Sequence, residues 1–399
     1  MKSRTTGRAK GSVLPILFLA ILAAGFLFSA QHVRQLAAVG GKQIIKAVRG
    51  ESTVSEIPTA FDDYYNSLFS AQRWTLDAFS LTQRALGKRE ARNFQVLKAD
   101  SGELYLHGEE GEIEEETLRT VAEECRLLFD ETNKYGGAFL YVQVPYKNVG
   151  QAPELAAYSA DITEESESCL AAMIREKGIP VLDLRDYDEC TEYYRTDHHW
   201  TVKAAFNAAK YIEAEVERLC GTAFTDREYY GEAENYDAVT VEDCFLGSIG
   251  IKVGRFFGGR DDFTLYYPKF DTDLTLEHYI DHQLQFTYSG PFPETFIERE
   301  KLEDSSYNNK YDVNLHGAYV ESRIINRMAQ EDRTALLITH SYGRPMAQYM
   351  CLDYSELRYL DPQEGRFNDD LAAYIRDYQP DVVVFMFNAP VNVGDGRTE

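Results

Sequence analysis

AFLYVQVP, residues Ala138 to Pro145, is apolar at almost every position and follows the pair Gly136-Gly137. A strand with one wet face alternates, whereas a strand apolar throughout must be covered on both faces, as inside a parallel sheet. Upstream, Leu118, Val121, Cys125 and Leu128 recur at steps of three and four, which predicts a helix from Glu115 to Lys134. Downstream the alternation continues with a helix around Leu170 to Lys177, the strand IPVLDLR, and a helix from Val202 to about Leu219. Near the C-terminus TALLITHS (Thr334–Ser341), LRYLDP (Leu357–Pro362) and DVVVFMFN (Asp381–Asn388) read as strands, separated by helical segments around Ala347 and from Asp370 to Tyr378. This pattern predicts an α/β fold: a three-layer, doubly wound, mostly parallel sheet with ligands at the carboxyl ends of its strands. Residues 222–326 differ, with Tyr- and Phe-rich pieces (FTLYYPKF, LQFTYSGPF) broken by Gly and Pro, and predict a mainly β insertion.

The two ends carry opposite charge. The chain of 399 residues has 41 Lys and Arg against 65 Asp and Glu, a net −24. Its first fifty residues hold eight basic groups and no acid, leaving 33 basic against 65 acidic, or −32, for the rest. So acidic a body repels phosphate backbones, which argues against nucleic acid as a partner. Val13 to Ala30 is an uncharged apolar run of 18 residues preceded by Lys2, Arg4, Arg8 and Lys10. Length and flanking cations predict an uncleaved transmembrane helix with the N-terminus in the cytoplasm and the body outside. The competing reading, a cleaved signal peptide, also exports the body, but Phe28 spoils the small-x-small cleavage pattern. The expected organisation is therefore a cytoplasmic tip, anchor and basic stalk over 1–50, a stalk with accessory helices over 51–114, and the α/β domain over 115–399. The six cysteines lack C-x-x-C spacing, which disfavours a zinc knuckle, and their pairing stays open.

Four reactive residues fall at three comparable places. Asp197 and His199 of RTDHHWT (Arg195–Thr201) lie in a loop before a helix, Ser341 ends one strand, and Asn388 ends another. If the sheet is parallel, these ends share one edge. A serine nucleophile needs an imidazole to take its proton, a carboxylate to orient the ring, and donors for the developing oxyanion. Taken singly, Asp197 also suits a helix cap, His199 a packed histidine, and Ser341 a turn. Trp200 reads as packing beneath the loop.

The run YYRTDHHWT, with YVQVPYKNV and IPVLDLR before it and LLITHSYG after it, resembles the DHHW proteins. That family is similar to the alginate O-acetyltransferases, which have a circularly permuted SGNH-hydrolase domain, and the resemblance spans about Leu118 to Asn388. It implies Ser341 as nucleophile, His199 as base and Asp197 as orienting acid, with His198 at the variable position between them. Asn388 falls where the hydrolases place an oxyanion asparagine. Two departures stand out: Thr339-His340 replaces the usual Gly-Asp before the serine, and no glycine matches the second oxyanion donor.

The resemblance implies an O-acetyltransferase on the outer face, acting on a cell-surface polysaccharide, with a multi-spanning membrane-bound O-acyltransferase as the acetyl-donating partner. An acetyl esterase with the same triad, and a non-catalytic carbohydrate-binding or assembly protein, are the alternatives. Tyr342, Lys147 and Arg195 are further oxyanion or substrate-binding candidates, Lys147 facing either the active edge or solvent, and Arg195 either a ligand or a carboxylate. No cofactor is expected. His198 and His340 lack a third ligand at suitable spacing, so no metal is expected either. His278 and His282 of HYIDH stand at i and i+4 as on a zincin helix, but lack the adjacent glutamate and read as solvated.

Overall fold

The structure, a computed structural model, describes Leu19 and residues 70–108, 110–148, 155, 161–303, 308–364 and 370–388. The chain divides into Met1–Ala78 and Phe79–Glu399. Of the first unit only Leu19 and the start of helix α1 (Ser70–Ala85) are described. The apolar run Val13–Ala30 thus lies, apart from Leu19, outside the described residues. Among the described residues no helix is long and apolar enough to cross a membrane.

In the second unit, residues 90–106 form three short strands, β1 (Glu90–Ala91), β2 (Val96–Lys98) and β3 (Leu104–Leu106), in an antiparallel sheet where the sequence suggested only helices. Ala91, Val96 and Leu104 bury themselves against Ile249, Val253 and Phe257, some 150 residues away. No local periodicity signals a partner so distant.

The chain continues through α2 (Glu115–Asn133), β4 (Ala138–Gln143), α3 (Thr163–Glu176), β5 (Val181–Asp183) and α4 (Val202–Cys220). Then follow β6 (Tyr236–Phe245), α5 (Ser248–Val253), β7 (Asp261–Pro268), β8 (Leu274–Ile280), β9 (Gln283–Gly290) and β10 (Glu321–Asn326). The last elements are β11 (Thr334–Ile338), α6 (Gly343–Met350), β12 (Glu356–Leu360), α7 (Leu371–Tyr378) and β13 (Val382–Phe387). Eight strands make the central sheet in the order β5-β4-β13-β11-β12-β10-β8-β9. The first five run parallel; β10, β8 and β9 join antiparallel.

Successive residues of the parallel strands feed opposite faces, as strand geometry requires. Leu140, Val142, Leu337, Val384 and Met386 pack with α4 and α6, whereas Phe139, Tyr141, Leu336, Ile338 and Phe385 pack with α2, α3 and α7. Helices therefore cover both faces, and the unbroken apolar runs follow from that. Each such buried side chain contributes about 1.5–3 kcal/mol relative to exposure.

The insertion is not a separate β body. Only β6 and β7 pair on their own; β8, β9 and β10 extend the central sheet. β10 found its hydrogen-bond partner on β12 and carries β8 and β9 with it, a tertiary choice that Tyr- and Phe-rich composition does not specify.

Candidate active site

The loop bearing Asp197 and His199 is tied off at its neck. Tyr193 bridges Trp200, Thr201 N–H donates to the Glu192 carbonyl at 2.8 Å, and Tyr194 N–H to that of His199 at 3.2 Å. The cap of α4 is Thr201, whose hydroxyl accepts from Ala204 N–H at 3.2 Å, so Asp197 is not consumed by capping. Trp200 is fully buried, as expected, and donates its indole N–H to the Tyr342 carbonyl at 3.0 Å. That bond ties this loop to the turn after β11.

The structure brings Asp197, His199 and Ser341 together. Asp197 Oδ1 accepts from His199 Nδ1 at 2.5 Å and from the His199 backbone N–H at 2.8 Å. With its proton on Nδ1, the ring presents a bare Nε2, which accepts from the Ser341 hydroxyl at 2.7 Å. The other carboxylate oxygen accepts from Ser248 N–H at 2.5 Å. Burial opposes ionisation of Asp197, but His199, His198 and the hydrogen bonds from His199 outweigh it and hold its carboxyl well below the usual range. Burial likewise pushes the His199 pKa down, and the Asp197 charge and hydrogen bond only partly offset this. A neutral imidazole beside an ionised acid is the state a general base requires.

Several supports were invisible in the sequence. Tyr311 lies flat on His199, with ring centroids 4.0 Å apart and planes 15° from parallel. Gly247 precedes Ser248 because a Cβ there would sit 2.3 Å from Asp197 Cβ. Asp261 accepts from Arg195 N–H and Thr196 N–H, each at 2.9 Å, and from the Thr196 hydroxyl at 2.5 Å. Arg344 is buried and pairs with Asp312 at 2.7 Å, fastening the Tyr311 segment to α6. These residues come from the insertion or from α6, and only Gly247 left a hint, as one glycine among many.

Three of the four secondary candidates serve other ends. Lys147 faces neither solvent nor the active edge: it is buried and donates to the carbonyls of Tyr194 at 2.5 Å, Arg195 at 2.9 Å and Asp197 at 2.9 Å. Three ammonium donors match three carbonyls, and burial lowers its pKa to about 8. Tyr342 is buried, its hydroxyl donating to the His198 carbonyl and its backbone N–H to His340 Nδ1, so neither donor is left for an oxyanion. Arg195 pairs with Asp261 at 3.4 Å and donates to the Arg260 carbonyl at 2.5 Å, as the carboxylate-pairing alternative had it. Asn388 ends β13 directly beside β11: continuing the parallel register Ile338↔Phe385 places it opposite Ser341.

Asp197, His198 and His199 offer ligand atoms within 4.8 Å of one another. His198 Nδ1, however, is held by Ser248 Oγ at 2.7 Å, and both His199 nitrogens are committed. A metal here would displace the serine contact, so these residues fit a proton relay better than a cation. His278 and His282 stand on β8 and in the turn after it rather than on a helix, and His278 is fully buried, not solvated, because β8 lies inside the sheet. All six cysteines are unpaired.

A serine after β11, a loop histidine and a carboxylate that orients it thus meet at the carboxyl edge of the α/β sheet. Residues 97–237 match the family model described as the SGNH hydrolase-like domain of the acetyltransferase AlgX. Over these residues the chain is similar to that SGNH hydrolase-like domain. The match includes Asp197 and His199 and ends before Ser341. Among solved structures, a DHHW family protein from Eubacterium siraeum aligns with TM-score 0.56 and 19% identity over 73% of this chain and 89% of that one. Bacillus cereus PatB1 bearing a sulfonyl adduct aligns with TM-score 0.60 and 17% identity over 73% of this chain and 94% of its own. At these identities the likeness shows the fold. No curated protein matches.

Proposed function

We propose that this protein is a membrane-anchored, extracytoplasmic O-acetyltransferase for a cell-surface polysaccharide, with Ser341 as nucleophile, His199 as base and Asp197 as orienting acid. The observation that carries this reading is the continuous hydrogen-bond chain from Asp197 through His199 to Ser341. Acid and base precede the nucleophile in the chain, the order that a circularly permuted SGNH domain would have. Val13–Ala30 would anchor the body, and a multi-spanning membrane-bound O-acyltransferase would deliver the acetyl group.

Ser341 Oγ attacks the acetyl carbonyl of the donor while its proton passes to His199 Nε2. The oxyanion lies against the Ser341 backbone N–H, which has no acceptor among the described residues, and the Asn388 amide. Collapse breaks the bond to the donor's oxygen, which takes the proton from His199, leaving acetyl on Ser341. A sugar hydroxyl then gives its proton to His199 and attacks, restoring the serine.

The test is to incubate the full chain with p-nitrophenyl acetate and locate any adduct by mass spectrometry, with and without an oligosaccharide acceptor. Acetyl on Ser341 that moves to the acceptor supports the transferase. Rapid release of acetate whether or not acceptor is present makes it an esterase. Absence of any adduct, also after a sulfonyl fluoride, leaves a binding protein.

A further inference from the structure

His340 replaces the acid expected before the serine, and its two ring nitrogens have different partners. The Tyr342 backbone N–H donates to Nδ1 at 3.3 Å. A backbone N–H can only donate, so Nδ1 carries no proton and a neutral ring must carry it on Nε2. Nε2 lies 2.9 Å from Oδ1 of Asn388, so the asparagine oxygen is the acceptor and its NH2 group is turned away from His340.

The surroundings hold this tautomer. His340 is buried, and desolvation lowers its pKa to about 4, which keeps the ring neutral near pH 7. A second proton would put two donors, Nδ1–H and the Tyr342 N–H, head to head. The His340 carbonyl accepts from Gly343 N–H at 2.9 Å and from the Tyr359 hydroxyl at 3.2 Å, and the ring meets Phe387 edge-on at 5.5 Å. Gly343 is needed for that turn, since a Cβ would lie 2.3 Å from Thr339 Cγ2.

We propose that His340 is a positioning residue that fixes the Asn388 amide with its NH2 group toward the Ser341 side, making Asn388 an oxyanion donor. The inference rests on the acyl-transfer reading above. An asparagine amide has two nearly equivalent orientations about its last bond. Only one stabilises an oxyanion; the other aims a carbonyl oxygen at it. His340 decides between them, because its Nε2–H can be answered only by the amide oxygen.

Two substitutions separate this role from packing. His340→Asn places an amide near Nδ1 and can still accept from Tyr342 N–H, but does not reach Asn388. His340→Gln places an amide nitrogen near Nε2 and keeps the donor. With the full chain and p-nitrophenyl acetate, H340N should lower the Ser341 acetylation rate about a hundredfold, the usual loss of one oxyanion donor. KM should stay within about twofold, since the oxyanion forms only in the transition state. H340Q should remain within about tenfold of wild type by restoring the donor. In an Asn388→Ala background H340N should add nothing, because its partner is gone. Undiminished acetylation in H340N, or losses that multiply with N388A, overturns the inference. Nitrogen-15 spectra of the wild-type ring supply a reading independent of catalysis: a proton on Nδ1 at pH 7 also overturns it. A wild-type chain that never takes up acetyl sinks the acyl-transfer reading instead, which the ring tautomer does not address.

Discussion

Strands β11 and β13 are buried almost throughout and lead into Ser341 and Asn388 just beyond their ends, whereas β9 is exposed at most positions and carries none of the candidate groups. One sheet thus contains two regimes. In the parallel half, helices cover both faces, strand ends are held from two sides, and small displacements are resisted by close packing. The antiparallel half has an open edge, with Leu284 and Phe286 about half exposed. The insertion that supplies this half still reaches the site, but through its loops: Gly247, Ser248 and Tyr311 touch Asp197 or His199. Rigidity therefore comes from the strands and fine placement from the loops.

That contrast can be broken most directly at Ser341. Ser341→Ala should reduce acetylation by about 10⁴-fold or more while changing stability by no more than about 1 kcal/mol, read by mass spectrometry and thermal melting. A mutant that still acquires acetyl at the same rate would move the chemistry elsewhere. Asp197→Asn should come next, at roughly 10³- to 10⁴-fold, because the amide favours the wrong imidazole tautomer while the loop keeps its shape. Combining it with S341A should cost little more.

Lys147→Met tests whether the loop is held from below. It would remove three hydrogen bonds and leave the buried Asp197 carbonyl unpaired, while the Arg195 and Tyr194 carbonyls keep Leu104 N–H at 2.8 Å and Asp197 N–H at 3.4 Å, so a loss of at least about 1 kcal/mol is expected in chemical denaturation. Activity should fall with it, as the carbonyls of Tyr194, Arg195 and Asp197 shift. Unchanged stability would show that water replaces the ammonium and that the clamp is dispensable.

The pH dependence is gentler. His199 must be neutral to accept the serine proton, and burial holds its pKa below the ordinary value of about 6.5. Acetylation should therefore be flat above neutrality and fall only at an inflection below about 6.5; an inflection above 7 would mean that Asp197 outweighs burial. Smallest of all, Leu284→Ser on exposed β9 should alter stability by no more than about 0.5 kcal/mol and leave acetylation unchanged. A large loss there would erase the distinction between the two halves.

Much of the parallel half was legible in advance. Runs such as DVVVFMFN are apolar because both faces are covered, and the steps of three and four in α2 follow from one buried stripe. Burial periodicity is a local property, so sequence records it. Asp197 and His199 were legible for a similar reason: two residues apart in one loop, they need no distant information to meet, and the DHHW pattern pointed to Ser341 as their partner. Lys147 and Tyr342 were misjudged because the same residue types serve solvent, substrate or a buried carbonyl, and only their neighbours decide.

The sequence by itself determined where the parallel strands and their covering helices lie, which ends carry reactive groups, and that the body is strongly acidic. Tertiary structure alone decided that β10, β8 and β9 complete the central sheet, that Lys147 clamps three carbonyls, and that Tyr311 covers His199. It also decided that His340 sets the Asn388 amide across 48 positions of sequence, as His199 meets Ser341 across 142. Such contacts depend on the summed packing of every intervening element, and no spacing along the chain encodes that sum.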